Sequence, residues 1–316
     1  PAAEREAVSG LDPKKGLPIY NLLEKARHLA QNKRWAESAA VLRQLVAQSP
    51  GNVSALSTLG ITLLRQGDLA GAREQYLRVL AIDPKQSRVY VMLGAISMLE
   101  NDFESAERSY RQALAITPGF VEAMANLGLI AALRDDDAEA ERWYRQAMAA
   151  DATYPIAYRR LADLHYERHD YAGALPLYRQ TLAQDPTDLA AAIQAGNSAR
   201  RSGDPKAAAA FFTRAAHDHP DSWVPAYDLA CLQAATGDPA GALARLAAMQ
   251  DFRRIPLLMR DADLATVRSL PGFPAVLRQL RDEARENRRS EREKQRAEES
   301  GQASDADDGD TGPDLD

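Results

Sequence analysis

His165 and His169 stand four residues apart, a spacing that puts two imidazoles on one helix face, where they could hold a metal ion. Glu167 falls between them, not where a zinc protease keeps its glutamate. His165 takes an inward helix position and His169 a turn, so packing is the expected role of the pair. His217 and His219 flank Asp218 near a predicted helix end, where imidazoles cap carbonyls and meet the negative end of the dipole. Asp305, Asp307, Asp308 and Asp310 around Gly309 hint at a calcium loop, but the bidentate glutamate of the twelfth place is missing. A solvating acidic tail is the better expectation. Cys231 is the single cysteine, so neither an internal disulfide nor a thiolate metal site is available. No nucleophile elbow, phosphate loop or dinucleotide fingerprint occurs. The expectation is no catalytic residue, no metal site, no cofactor, and a chain that is not itself an enzyme.

What must position these side chains is a repeat. Pro50, Pro84 and Pro118 are thirty-four residues apart, as are Pro186 and Pro220, and two periods separate Pro118 from Pro186 with Ala152 at the skipped place. The repeats read as 19–52, 53–86, 87–120, 121–154, 155–188, 189–222 and 223–256. In the second, Leu56, Leu59 and Leu63 have helical spacing, Gly67-Asp68 interrupts it, and Ala72, Tyr76, Val79 and Leu80 begin a second stripe that Asp83-Pro84 ends. Each unit is therefore helix, tight turn, helix, tight turn. A fixed period of this length means stacked units, which present surfaces.

Two places keep small residues. The eighth holds Ala26, Gly60, Gly94, Gly128, Ala162, Gly196 and Ala230; the twentieth holds Ser38 and then Ala72, Ala106, Ala140, Ala174, Ala208 and Ala242. Glycine inside a helix costs about 1 kcal/mol against alanine, so its retention implies close helix–helix approach, with the eighth place facing the twentieth. The twenty-fourth place is aromatic in Tyr76, Tyr110, Tyr144, Tyr178 and Phe212.

Leu59-Gly60, Leu93-Gly94 and Leu127-Gly128, with the alanine, aromatic and proline series, resemble the pattern of the tetratricopeptide repeat (TPR) family over about three quarters of the chain. The resemblance implies an all-α solenoid, a right-handed superhelix of helix-turn-helix units whose first helices line a concave face. Departures fall at the first repeat, with Trp35 in the turn and no Leu-Gly pair, at Asp135-Asp136-Asp137 in the fourth, at Leu161-Ala162 in the fifth, and in the seventh, which starts at Trp223 and lacks its closing proline. End units with one neighbour are expected to be atypical.

By the same resemblance, the concave positions of repeats two to four hold Ser57, Ile61, Leu64, Val91, Met92, Ala95, Met98, Ala125, Asn126, Leu129 and Ala132, an apolar trough. Repeats five and six give Arg159, Arg160, Asp163, Tyr166, Glu167, Asn197, Arg200 and Arg201, a polar stretch rich in arginine. Together they suggest a groove for a partner peptide or helix with an apolar anchor and an acidic end. The lysine–asparagine carboxylate clamp of chaperone-type members is absent, since Leu23, Arg27 and Thr58 stand in its places, and Asn126 is one rung where sugar-transferase members have a ladder.

The net charge of −6 misleads, because residues 298–316 carry eight acids and no base. The rest is close to neutral, so nucleic acid is not the expected partner. A protein or peptide is; a homo-oligomer stays open. No apolar run is long enough for a transmembrane helix. Only seven of the 39 basic residues are lysine, a bias that resembles bacterial coding, in cytoplasm or periplasm alike. Residues 257–299 break the period; Phe273, Val276, Leu277 and Leu280 make an apolar face able to cap the array, and the charged helix after Arg281 continues into solvent. Residues 300–316 are expected to be a disordered acidic tail. Segment 1–18 is a lead-in linker. With no methionine at Pro1 and no leader, the chain reads as a piece of a longer protein. Its Ser9–Lys15 stretch is similar to the junction joining bacterial sulfatase-type hydrolases to TPR arrays, which gives the alternative: an accessory region of a larger hydrolase or transferase that recruits substrate or oligomerises.

Overall fold

The computed structural model describes residues 13–249 and 255–307, and among these the chain is helical with no strand. Fourteen helices run in pairs: α1 (Pro13–Gln31) and α2 (Trp35–Gln48), α3 (Val53–Gln66) and α4 (Leu69–Ile82), α5 (Ser87–Leu99) and α6 (Phe103–Ile116), α7 (Val121–Leu133) and α8 (Asp137–Ala150), α9 (Pro155–Glu167) and α10 (Tyr171–Gln184), α11 (Leu189–Arg201) and α12 (Pro205–Asp218), α13 (Val224–Ala235) and α14 (Pro239–Ala247). Then come α15 (Ile255–Arg260), a 3-10 turn (Ala262–Leu264), α16 (Ala265–Arg268) and α17 (Phe273–Asp307). The fold is an all-α solenoid of paired helices with C-terminal capping helices. It divides into two compact units, Pro1–Leu164 and His165–Asp316, with the boundary inside α9.

One turn geometry joins every pair. Lys33, Gly67, Asn101, Asp135, His169, Gly203 and Gly237 all have positive φ, between 59° and 92°. They occupy the fifteenth place of each repeat. There the left-handed residue lets the next N–H reach back to the helix just ended, as in Asp68 N to Leu63 O (2.9 Å) and Asp102 N to Ser97 O (2.8 Å). The following residue then starts the second helix. Asp68, Asp102, Asp136, Asp170, Asp204 and Asp238 each accept, through the side chain, the N–H three residues on. A cap of this kind contributes about 1 kcal/mol. Arg34 stands in the first repeat, has no side-chain cap bond, and pairs with Glu37 instead (2.6 Å).

The small eighth residue has a specific neighbour. A Cβ on Gly60, Gly94 or Gly128 would lie 2.7, 2.6 or 2.5 Å from the ring of Tyr76, Tyr110 or Tyr144, and one on Gly196 would strike Phe212. All four rings are buried. Thus in these repeats the ring of the twenty-fourth place comes within contact of the eighth. Where an aliphatic residue replaces the ring, as with Leu42 and Leu246, the eighth place is alanine, Ala26 and Ala230, while in the fifth repeat alanine, Ala162, accompanies the buried ring of Tyr178. In the first repeat the twentieth residue does face it, since Ser38 Oγ donates to Ala26 O (2.8 Å).

The end of the second unit is closed. Leu258, Leu264, Val267, Phe273, Val276 and Leu280 are buried with Tyr227, Ala230, Ala234 and Leu246 of the last pair, and Leu277 packs beside them. α17 continues through Asp307, past residue 299 where the tail was expected to begin. The Ser9–Lys15 junction lies mostly outside the described residues. The end of the acidic tail, 308–316, lies wholly outside them, and the side chains of Asp305 and Asp307 are not described either.

Candidate interaction faces

In the first unit, the first helices α3, α5 and α7 offer a row of apolar side chains. Ile61 is 48% exposed, Leu99 64% and Leu133 54%. Leu99 and Leu133 occupy the same place in successive repeats, at the ends of α5 and α7. Leu64 and Met98 are half-buried and pack against the core from the same face. Ser57, Asn126 and Leu129 are half-buried too. Val91 is not on this face: it is 4% exposed and belongs to the core with Tyr110 and Leu127, which corrects its assignment to the groove. Ala125 is likewise buried. Asn126 gives its side-chain N–H to Glu122 O (2.7 Å), so its amide serves its own helix.

Leu99 and Leu133 were the residues that sequence reasoning passed over. Their signal is the thirteenth place of each repeat. Repeats two, five and six carry charge there in Arg65, Glu167 and Arg201, whereas repeats three and four carry leucine. Both leucines end their helices two residues before the left-handed turn, and there they are exposed.

The arginine-rich stretch is divided between the units. Arg159 and Asp163 are half-buried in the first. In the second, Arg200 Nη1 donates to Asp263 Oδ2 of the cap (2.6 Å). Beside it Tyr227 OH donates to Asp261 Oδ2 (2.7 Å), and Asp261 Oδ1 accepts Asp263 N–H (2.9 Å). Arg268 holds the same stretch through Asp261 O (2.5 Å) and Leu258 O (3.1 Å). Arg200 is thus met by an acid from within the chain. Burial, against the pull of Arg200 and with the push of Asp261, raises the Asp228 carboxyl to about 6. Burial, with Asp261 next, also pushes the Cys231 thiol well above its ordinary value. Asn197 bonds Gln194 (3.4 Å).

The histidines have separate partners. His165 Nδ1 pairs with Asp170 (2.7 Å), and His169 Nδ1 with Tyr171 OH (2.9 Å). Tyr171 also meets Tyr166 edge-on, with centroids 5.2 Å apart, and carries the Arg201 guanidinium over its ring at 5.1 Å. His217 Nδ1 pairs with Asp218 (2.9 Å). No group of three or more potential metal ligands converges among the described residues. None of their helices is long and apolar enough to cross a membrane.

Sequence profiles described as tetratricopeptide repeat match residues 23–87, 100–155 and 159–222, and a second such profile matches 199–254. No curated protein matches the chain. Among solved structures, it is similar to one described as a functional characterisation of Pseudomonas aeruginosa pilF, at 19% identity and TM-score 0.56, covering 68% of this chain and 96% of that one. PilW, described as a widely conserved type IV pilus biogenesis factor, matches at 20% identity and TM-score 0.54, covering 69% and 98%. A tetratricopeptide repeat protein from Parabacteroides merdae matches at 16% and 0.53, covering 83% and 98%. Identities this low show a shared fold.

Proposed function

The chain belongs to the tetratricopeptide repeat family, and on that footing we propose that it is a protein-interaction scaffold whose partner lies on the first-helix face of the first unit. The observation that carries this is the exposed row Ile61, Leu99 and Leu133, continued by half-buried Leu64, Met98 and Leu129. The ninth, twelfth and thirteenth places of repeats two to four hold one charged residue, Arg65, and no acid. A contiguous apolar surface of this kind marks a partner site. The partner's chemistry follows: the apolar stripe of an amphipathic helix, which meets an apolar row with residues three, four and seven apart. Ser57 and Asn126 flank the row. Arg200, held by Asp263, is left out of this partner surface.

The test is Ile61→Glu, Leu99→Glu and Leu133→Glu together. These side chains are exposed, so helicity and melting should barely change, while capture of the partner in affinity pull-downs should be lost. A folded triple variant that still recovers every partner would remove this face from consideration.

A further inference from the structure

We propose that the cleft between α10 and α12, on the second-helix side of the second unit, is a separate site that takes the C-terminal end of a partner chain, with an apolar last residue on its floor and the terminal carboxylate at Arg179 and Arg214. The cleft has a volume of about 390 Å³ and is lined by Leu182, Ala183, Ala192, Phe211 and Ala215 between those two arginines. That volume is at the lower end of ligand pockets and suits one or two residues of peptide.

The equivalent cleft of the first unit shows what is unusual here. Between α2 and α4, Arg43 and Arg78 take the places of Arg179 and Arg214, but Glu74 and Gln75 stand where the second unit has Ala210 and Phe211. Arg78 spends its donors on Gln75 Oε1 (2.9 Å) and Pro50 O (3.5 Å), and Asp68 and Glu74 add carboxylates. That cleft is polar, with two carboxylates near its arginines and Arg78 bonded from within, while Arg43, like Arg179, makes no hydrogen bond or ion pair among the described residues. In the second unit the acid and the amide are gone. Phe211 gives an apolar wall, and the Arg179 guanidinium carbon lies over its ring, 5.8 Å from the centroid. A cation–π contact uses none of the guanidinium's N–H donors, so these stay available to match a carboxylate in bidentate fashion. Arg179 makes no hydrogen bond or ion pair among the described residues. Arg214 engages Asp218 through Nε alone at 3.3 Å, and His217 shares that carboxylate. One acid, Asp218, lines the cleft against two guanidiniums, so its charge calls for a further carboxylate. A carboxylate joined to an apolar group within two residues' volume describes a chain terminus, a recurring target of peptide-binding sites.

The probe is a dansylated Gly-Ala-Leu-Phe peptide with a free C-terminus, titrated into the full chain by fluorescence anisotropy beside its C-terminal amide. The free acid should saturate, and the amide should bind about tenfold or more weakly, since the charge-assisted pairs carry the selectivity. Arg179→Gln, an exposed change that leaves the core alone, should abolish the preference of acid over amide. Ala210→Glu with Phe211→Gln, which installs the pair found in the second repeat, should remove binding of both peptides. The triple Glu variant of the first-helix face should bind the peptide as the parent does, which separates this site from the one above. Equal binding of acid and amide, unaltered selectivity in Arg179→Gln, loss of binding in the first-helix variant, or N-acetylphenylalanine binding as tightly as the tetrapeptide would each overturn the assignment.

Discussion

Gly94→Ala sets two opposing terms against each other at one atom. Alanine should stabilise α5 by about 1 kcal/mol over glycine, from propensity alone. The added Cβ, however, would lie 2.6 Å from Tyr110 Cε1 and 2.8 Å from Cζ, well inside contact distance, and Tyr110 is buried among Val91, Ala106 and Leu127 with little room to retreat. Displacing a packed ring costs about 1–3 kcal/mol. The net expectation is a loss of about 1 kcal/mol for Gly94→Ala and a larger one, about 3 kcal/mol, for Gly94→Leu. Tyr110→Leu alone should also destabilise, by about 2 kcal/mol, through lost packing. The double variant Gly94→Ala, Tyr110→Leu rebuilds the pairing of Ala26 with Leu42 and of Ala230 with Leu246. It should therefore exceed the sum of the singles by about 1–3 kcal/mol of favourable coupling. The assay is amide hydrogen exchange resolved by repeat. Solenoid stability sums units and their nearest-neighbour interfaces, so the change should be confined to repeats two to four. Strict additivity of the two substitutions, or a Gly94→Ala protein stabilised by the full propensity term, would show that the ring is not what keeps the eighth place small.

Tyr76→Phe should be neutral or stabilising by up to about 1 kcal/mol in thermal melts, because the buried Tyr76 hydroxyl has no hydrogen-bond partner among the described residues; Phe212 already fills that place in the sixth repeat. Lys33→Gly should stabilise its repeat by about 1 kcal/mol, read as slower local exchange, and Asn101→Gly by less, since both have φ of 59° but asparagine tolerates the left-handed region better than lysine. The raised Asp228 carboxyl means that the folded cap binds more protons than the open one between about pH 4 and 6. Its stability is greatest below that window and falls as pH rises through it. Asp228→Asn should remove this dependence and slow cap exchange at neutral pH, by no more than about 2 kcal/mol after allowance for solvent screening; an unchanged pH profile for residues 255–272 would refute it.

The period, the turns and the closing prolines were legible because each is a local constraint. A left-handed residue followed by Asp announces itself in sequence as Gly67-Asp68 and Gly237-Asp238, and the same geometry is hidden at Lys33 and His169 only by residue type. The capping face Phe273–Leu280 was legible from helical spacing. What was not legible depends on long-range pairing. Nothing near Arg200 in the sequence tells that Asp263, sixty-three residues on, lies against it. Val91 and Leu99 are both apolar and sit on one helix, and their opposite fates follow from which face α6 and the next repeat cover. The close approach of Tyr76, Tyr110 and Tyr144 to Gly60, Gly94 and Gly128 is likewise a pairing between helices that spacing alone does not disclose.

The cap has a consequence for length. A stack of like units is open-ended by construction: the apolar end that receives one repeat would receive the next, whether from the same chain or from another molecule. Leu258, Leu264, Val267 and Phe273 cover that end after the seventh pair, and Arg200 with Tyr227 fastens the cover by its two aspartates. The segment follows none of the thirty-four-residue grammar, so it offers no template for an eighth unit. It works as a full stop, covering with side chains of another pattern the apolar edge of the seventh pair.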